Sequence, residues 1–299
     1  MAEVRTVQLK PWYVRLAAPL RATRHLRFRV VPEGLIAILL VLLASSFVIE
    51  SISPFDPLSG EMRNRLRGPV GGLDFWNHHI MGTDQQGRDI FVRLLVGARY
   101  SFAVAAIALS LGGVVGLILG MLSGYIGGKF DTVVMRIVDI KLAIPVVLLA
   151  MLLAAMFKPS LLLVSVALAF VYWAFFARMI RGETLSLAKR DYIKLAQIAG
   201  ASRTRIIFKH IFPHVTNTWV VLLSLQVGAA ILAESSLSFL GAGVPPPNPA
   251  WGSMAAQGRT YLETAWWVSL FPGLAIVTVV LCFNLLGDWL RDRLDPRLQ

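Results

Sequence analysis

"IKLAQIAGASRTRIIFKHIF", residues 193–212, carries Ala196, a glycine four residues on (Gly200) and an isoleucine six beyond that (Ile206). This is the spacing at which a DNA-binding helix-turn-helix lets two short helices meet around a tight turn. The net charge of +12 has the sign that DNA attracts. Two features argue against DNA. Lys209 stands near the end of the second helix, where a DNA-binding unit buries an apolar residue, and no third helix follows to complete a core. The stretch needs a bent helical hairpin, and the rest of the chain decides what uses it.

Of the 299 residues, 56% are hydrophobic and 15% charged, whereas a soluble domain carries about 25% charged residues. Such a chain has too little polar surface for water and belongs in a bilayer. Cys282 is the single cysteine and lies in an apolar run, so packing is its expected role and no disulfide framework is available. Six stretches approach the roughly 20 residues that cross a hydrocarbon core as helix: 34–52, 101–126, 133–157, 161–180, 215–240 and 266–290. The third is crowded by Arg136, Asp139 and Lys141 and interrupted by Pro145, charges tolerated only near an interface or facing protein or water. About 30 residues precede the first apolar stretch, long for the n-region of a signal peptide, so it reads as an uncleaved span.

With the N-terminus cytoplasmic, 21 of the 29 Lys and Arg residues fall on the inner side, which the positive-inside rule reads as both termini cytoplasmic. Basic inner loops that meet anionic lipid account for the net charge without nucleic acid. The expected organisation is a basic cytoplasmic tail over 1–33, a first span over 34–52, an extracytoplasmic segment over 53–98, a five-span core over 99–290 and a cytoplasmic tail over 291–299. The opening stretch then lies in an inner loop, 181–214. Asp191 is placed to cap a short helix over 192–199, with Gly200 as the left-handed residue that ends it. Ser202 is placed to cap a second helix over 203–212, before Pro213 starts the next span.

This loop resembles the cytoplasmic coupling loop of binding-protein-dependent ABC importers, whose signature is Glu-Ala-Ala, a glycine four residues later and, about a dozen residues on, Leu-Pro. Ala196, Gly200 and Pro213 match, whereas Lys194, Leu195 and Phe212 stand at the acidic, first-alanine and leucine positions. Four further segments resemble C-type permeases of the dipeptide/oligopeptide/nickel branch, in the same order. They are "HIMGTDQQGRDIFVRLLVGARYSF" (79–102), "MRIVDIKLAIPVVLLA" (135–150), "ILAESSLSFLGAGVPPPNPAWG" (231–252) and "WWVSLFPGLAIVTVVLCFNLLGDWLRDRLDPR" (266–297). The resemblance implies an all-α membrane protein with a MetI-like core in a bacterial inner membrane. It implies half of a translocation path, completed by a second homologous permease. Two cytoplasmic ATPase subunits would hold the ATP and Mg, and an extracytoplasmic binding protein would deliver the substrate. Peptides are the expected substrate, with nickel or another small solute as the alternative. The expected ATPase-coupling residues are Tyr192, Leu195, Ala196, Ile198, Gly200 and Pro213.

The chain's own residues agree that it carries no ATPase site. A phosphate-cradling loop needs Gly-x-x-x-x-Gly-Lys-Ser/Thr, and "SGYIGGKF" (123–130) puts Ser123 and Phe130 at its first and last positions. It reads as a turn between spans. His78, His79, Asp84 and Asp89 suit a metal, but Gly82-Thr83-Asp84 and Gly87-Arg88-Asp89 read better as capped turns over the outer mouth. Pro245, Pro246, Pro247 and Pro249 predict a rigid outer loop. Glu234 falls inside the fifth span, where a carboxylate must face protein or a water-filled cavity; a structural bond to a neighbouring helix and a place along the translocation path are both open. A proton-coupled secondary transporter is the rival class, but it normally shows an internal repeat and buried relays, and one carboxylate is thin support.

Overall fold

The computed structural model describes residues 32–70, 78–158 and 160–294. The basic tail over 1–31 and the last residues, 295–299, with Arg297, lie outside them. Among the described residues the chain is almost wholly helical: α1 (Pro32–Ile52), α2 (Ile90–Ile126), α3 (Gly128–Ala143), α4 (Val146–Met156), α5 (Leu161–Ala188), α6 (Asp191–Ile198), α7 (Arg203–Phe239), α8 (Trp251–Gly258) and α9 (Trp267–Leu294). A bilayer core offers no water to pair with backbone groups, so helices that satisfy their own hydrogen bonds are the expected spanning elements. Five of these helices, α1, α2, α5, α7 and α9, are long and apolar enough to cross.

Three expectations change. The 133–157 stretch is two helices rather than one span, the charged α3 and the 11-residue α4, separated at Ile144 and Pro145. Pro145 lacks the N–H that would continue α3, and its ring pushes Ile144 out of helical geometry; Ile144 is extended, with φ −91° and ψ 126°. The second span begins at Ile90 instead of residue 101, with Asp89 accepting from the Val92 N–H as its N-cap. Finally, no break occurs at Pro213. The expected helix over 203–212 runs on into the fifth span, because residues 206–211 form a wide π turn in which the Phe212 N–H reaches the Ile207 carbonyl. A proline ring crowds the carbonyl four residues earlier, and a wide turn just before it relieves that contact.

The core is organised around α2. Gly112, Gly116, Gly120 and Gly124 recur every fourth residue and form a stripe against α5. A Cβ at Gly112 would come 2.7 Å from the Ala169 carbonyl oxygen, one at Gly116 2.6 Å from that of Trp173, and one at Gly120 2.6 Å from that of Ala177. Only hydrogen fits there. Small residues at such spacing let two backbones approach, which is how helices gain dispersion energy in lipid. Gly113, one residue round, faces α7 instead, where Trp219 Nε1 donates to its carbonyl at 3.0 Å. α9 packs on α7 across Gly228 and Gly287, and α1 lies on α2 and α9.

The ion pairs and most of the polar contacts between loops gather at the two ends of this bundle. One end joins the 55–70 and 78–89 segments to α8 and the start of α9: Trp267 Nε1 donates to the Thr83 carbonyl at 3.2 Å, and Arg65 Nη2 to the Tyr261 hydroxyl at 3.2 Å. The opposite end holds α3, the end of α5 and α6. There Arg181 grips Asp131 through Nε at 2.5 Å and Nη2 at 2.6 Å, and Arg178 pairs with Asp139.

The stripe predicts a contrast within this one packed pair. Gly116→Leu should force α2 and α5 apart and lower the unfolding midpoint of the detergent-purified protein, at a cost of about 1–3 kcal/mol or more. Gly182→Ala, on α5 with open space around it, should leave the midpoint unchanged or raise it, since alanine favours helix by about 1 kcal/mol. Equal midpoints for the two variants would refute the stripe as the packing seam.

Candidate functional site

The hairpin at the basic end is built from α6 and the first turns of α7. α6 ends in a paired C-terminal motif: the Gly200 N–H reaches the Gln197 carbonyl at 3.0 Å, and the Ala201 N–H reaches the Ala196 carbonyl at 3.0 Å. That arrangement needs a left-handed residue, and Gly200 supplies it with φ +79°. The Ser202 hydroxyl accepts from the Arg205 N–H at 3.3 Å, capping the second helix as its sequence position predicts. Asp191 is the exception. It occupies the first helical position, behind Arg190 as N-cap, and its side chain caps nothing; instead it takes Lys194 Nζ at 3.2 Å.

The hairpin has an inner and an outer face. Ile193, Ile206, Ile207 and Ile211 are buried and hold the two arms to the bundle. Leu195 is 65% exposed, Ile198 83% and Phe208 67%, an unusual exposure for large apolar residues at the polar end of a membrane protein. Ala196 is half-buried, and Gly200 and Pro213 are exposed. Tyr192 is placed differently from Leu195 and Ile198: its ring lies 6.4 Å from that of His210 and 6.3 Å from that of His214, bracing α6 against α7. The geometry thus gathers Leu195, Ala196, Ile198 and Gly200 on one short element. Phe208 gave no signal in the sequence, because an apolar residue beside Ile206 and Ile207 reads as part of the same buried run; within the π turn those two are buried and Phe208 faces outward.

Glu234 lies far along α7 from this hairpin and is fully buried. Ser238 Oγ donates to its Oε1 at 2.7 Å; Ser101 Oγ, from α2, donates to Oε2 at 3.3 Å, and Ser235 Oγ to the same oxygen at 3.5 Å. A carboxylate enclosed by protein hydroxyls meets the requirement that an intramembrane acid not face lipid. It does not line the apolar cavity of about 590 Å³ between α1, α2, α7 and α9, whose walls include Leu39, Phe102, Leu109, Leu223 and Phe283.

The turns around Asp84 and Asp89 are capped as their sequence predicts. Asp84 Oδ1 accepts from the Gln86 and Arg88 N–H groups at 2.8 and 3.0 Å, and its Oδ2 takes Arg88 Nε at 2.7 Å. Asp89 Oδ2 lies 2.8 Å from His79 Nδ1. Burial pushes the Asp89 carboxyl above its ordinary range, opposed by the Val92 N–H and by His79. Among the described residues no group of three or more metal-ligating side chains converges. "SGYIGGKF" spans the end of α2 and the start of α3, with the reversal at Gly127 and Gly128, φ +67° and +61°. Beside it Asp131 accepts from the Ser123 hydroxyl at 2.5 Å, a carboxylate where a bound phosphate would be repelled.

Comparison with known proteins places this architecture. The family described as "Binding-protein-dependent transport system inner membrane component" matches residues 116–299. The glutathione transport system permease protein GsiD of Pectobacterium atrosepticum is 41% identical over 278 residues, covering 92% of this chain and 90% of that one. The di/tripeptide transport system permease protein DppC of Pseudomonas aeruginosa is 37% identical over 267 residues, covering 89% and 88%. A chain from an inward-facing structure of the MetNI methionine ABC transporter shares the fold with a TM-score of 0.59 at 20% identity, over 69% of this chain and 97% of that one. Helical bundle, apolar spans and relatives agree, and the chain belongs to the family of binding-protein-dependent transport system inner membrane components, as a multi-pass membrane permease.

Proposed function

We propose that this chain forms half of the path through which an ATP-driven importer passes di- or oligopeptides delivered by an extracytoplasmic binding protein. A second homologous permease completes the path, and two cytoplasmic ATPase subunits bind and hydrolyse ATP with Mg. The peptide assignment is supported by relatives named for glutathione and for di- and tripeptides, all short amide-linked substrates. In this reading the basic end of the bundle, with the hairpin, faces the cytoplasm, and the end built from 55–70, 78–89 and α8 faces outward.

The observation that carries the coupling role is the exposure of Leu195 and Ile198 on a helix whose opposite side is anchored by buried Ile193. An amphipathic helix that shows its apolar residues to solvent fits a groove in a partner. α6 docks in a cleft of an ATPase subunit, with Leu195 and Ile198 as the inserted side chains, Ala196 and Gly200 allowing close approach and Tyr192 stiffening the hairpin. Pro213 follows the π turn that joins the hairpin to α7. Closure of the ATPase pair moves α6, and α7 moves with it.

Two outcomes are expected. Gly200→Val imposes a β-branched residue on positive φ, at a cost of about 1–3 kcal/mol, and misplaces α6. Substrate-stimulated ATP hydrolysis and uptake should fall together in proteoliposomes while the subunit remains inserted; wild-type rates in both would reject the coupling role. For orientation, single cysteines in a Cys282→Ser background should react with an impermeant thiol reagent in intact cells at position 246 but not at 203. External labelling at 203 would invert the arrangement.

A further inference from the structure

α7 is one continuous helix of 37 residues, about 55 Å at 1.5 Å per residue. Its first turns belong to the coupling hairpin. In its last two turns Glu234, Ser235 and Ser238 form the hydroxyl-lined carboxylate site. Ser238 Oγ does two things at once: it donates to Glu234 Oε1 at 2.7 Å and accepts from the Val244 N–H at 3.3 Å. Val244 belongs to the proline-containing loop that leaves α7, and it is buried, as are Gly243, Pro249 and Ala250. The same loop is fastened to α2 by the Tyr100 hydroxyl donating to Asn248 Oδ1 at 2.9 Å, and the indole of Trp251, just beyond it, donates to the Leu94 carbonyl at 2.8 Å. Gly243 lies so close to Ser238 that a side chain there would overlap its hydroxyl.

The geometry points to Glu234 and Ser238 as positioning residues that tie the outer loop 241–250 to the end of α7, so that displacement of the hairpin reaches the outer mouth. This rests on the importer reading above. The Ser238 hydroxyl that bridges the Glu234 carboxyl to the Val244 N–H is buried away from water and has no alternative partner. Ser101 on α2 donates to the same carboxylate, so a movement of α7 relative to α2 must either carry Glu234 away from Ser101 or pull the loop with it. Loop, α7 and α2 therefore meet at one acceptor.

The test uses the whole complex in proteoliposomes with its binding protein, comparing the unmodified chain with Ser238→Ala, Ser238→Thr and Glu234→Gln. Uptake, ATP hydrolysis and hydrogen exchange of the 241–250 peptide are followed without nucleotide and in an ATP-trapped state. In the unmodified complex the exchange of this peptide should differ between the two states. Ser238→Ala should remove the difference, speed exchange at Val244, and lower uptake about tenfold, the scale of leaving one buried hydrogen-bond partner unsatisfied, while hydrolysis continues without transport. Ser238→Thr, which keeps the hydroxyl, should restore uptake and protection. Glu234→Gln, which replaces one acceptor oxygen by a donor, should fall between them. Should Ser238→Ala fail to assemble, the ranking of the other two on Val244 exchange decides the matter. Uptake and exchange in Ser238→Ala equal to the unmodified complex would overturn the proposal, as would Ser238→Thr behaving like Ser238→Ala. Absence of ATP-driven uptake from the unmodified complex would instead defeat the importer reading.

Discussion

Backbone-to-backbone contact between α2 and α5 along Gly112, Gly116, Gly120 and Gly124 is the constraint on which the rest of this membrane bundle is arranged. In lipid no hydrophobic force draws one apolar helix to another, so close dispersion contact and a few polar bonds must do so. A methyl group at any of these glycines would separate the axes and loosen what is built on them. With the seam closed, Asp131 sits within reach of Arg181 at one end, which fixes α3 and directs the end of α5 into the hairpin. Gly113, next to the stripe, sets the position of α7 through Trp219.

From that framework the chain separates two kinds of work. Surfaces along the long helices are apolar and largely exposed, as a membrane permease that meets lipid requires: α1 and α9 are mostly unburied along their apolar stretches, whereas α5 is mostly covered. The ends hold the polar chemistry. At the end away from the hairpin, the carboxylates of Asp84 and Asp89 are satisfied within their own turns. The basic end carries apolar side chains on its hairpin, Leu195, Ile198 and Phe208, that its own fold leaves uncovered. A helix running the full distance between them gives the molecule a direct mechanical connection from one end to the other.

Much of this was legible in the sequence, and what was not has physical causes. Composition and apolar run length located the five long helices, and the signature around Ala196 and Gly200 located the hairpin, because a positive-φ residue four positions after an alanine is a local requirement. The α3–α4 break could be read only as an interruption, since hydropathy averages across Pro145. The continuity of α7 through Pro213 was hidden because proline normally announces a helix start, and nothing in the residue types marks a π turn. The glycine spacing in "GGVVGLILGMLSG", 112–124, carried no reading by itself, because the helix it packs against is a tertiary fact. For Glu234 the sequence demanded a polar environment without naming it; Ser101 lies 133 residues away.

Photo-cross-linking from position 198 in membranes holding the assembled transporter tests the central claim most directly. A benzophenone side chain in place of Ile198 should form its main adduct with a polypeptide that carries a Gly-x-x-x-x-Gly-Lys-Ser/Thr phosphate loop, identified by mass spectrometry of the joined peptides, and the adduct should persist through nuclease treatment. Adducts confined to lipid, to nucleic acid or to another part of this same chain would contradict the account, because the exposed face of α6 would then serve something other than an ATPase.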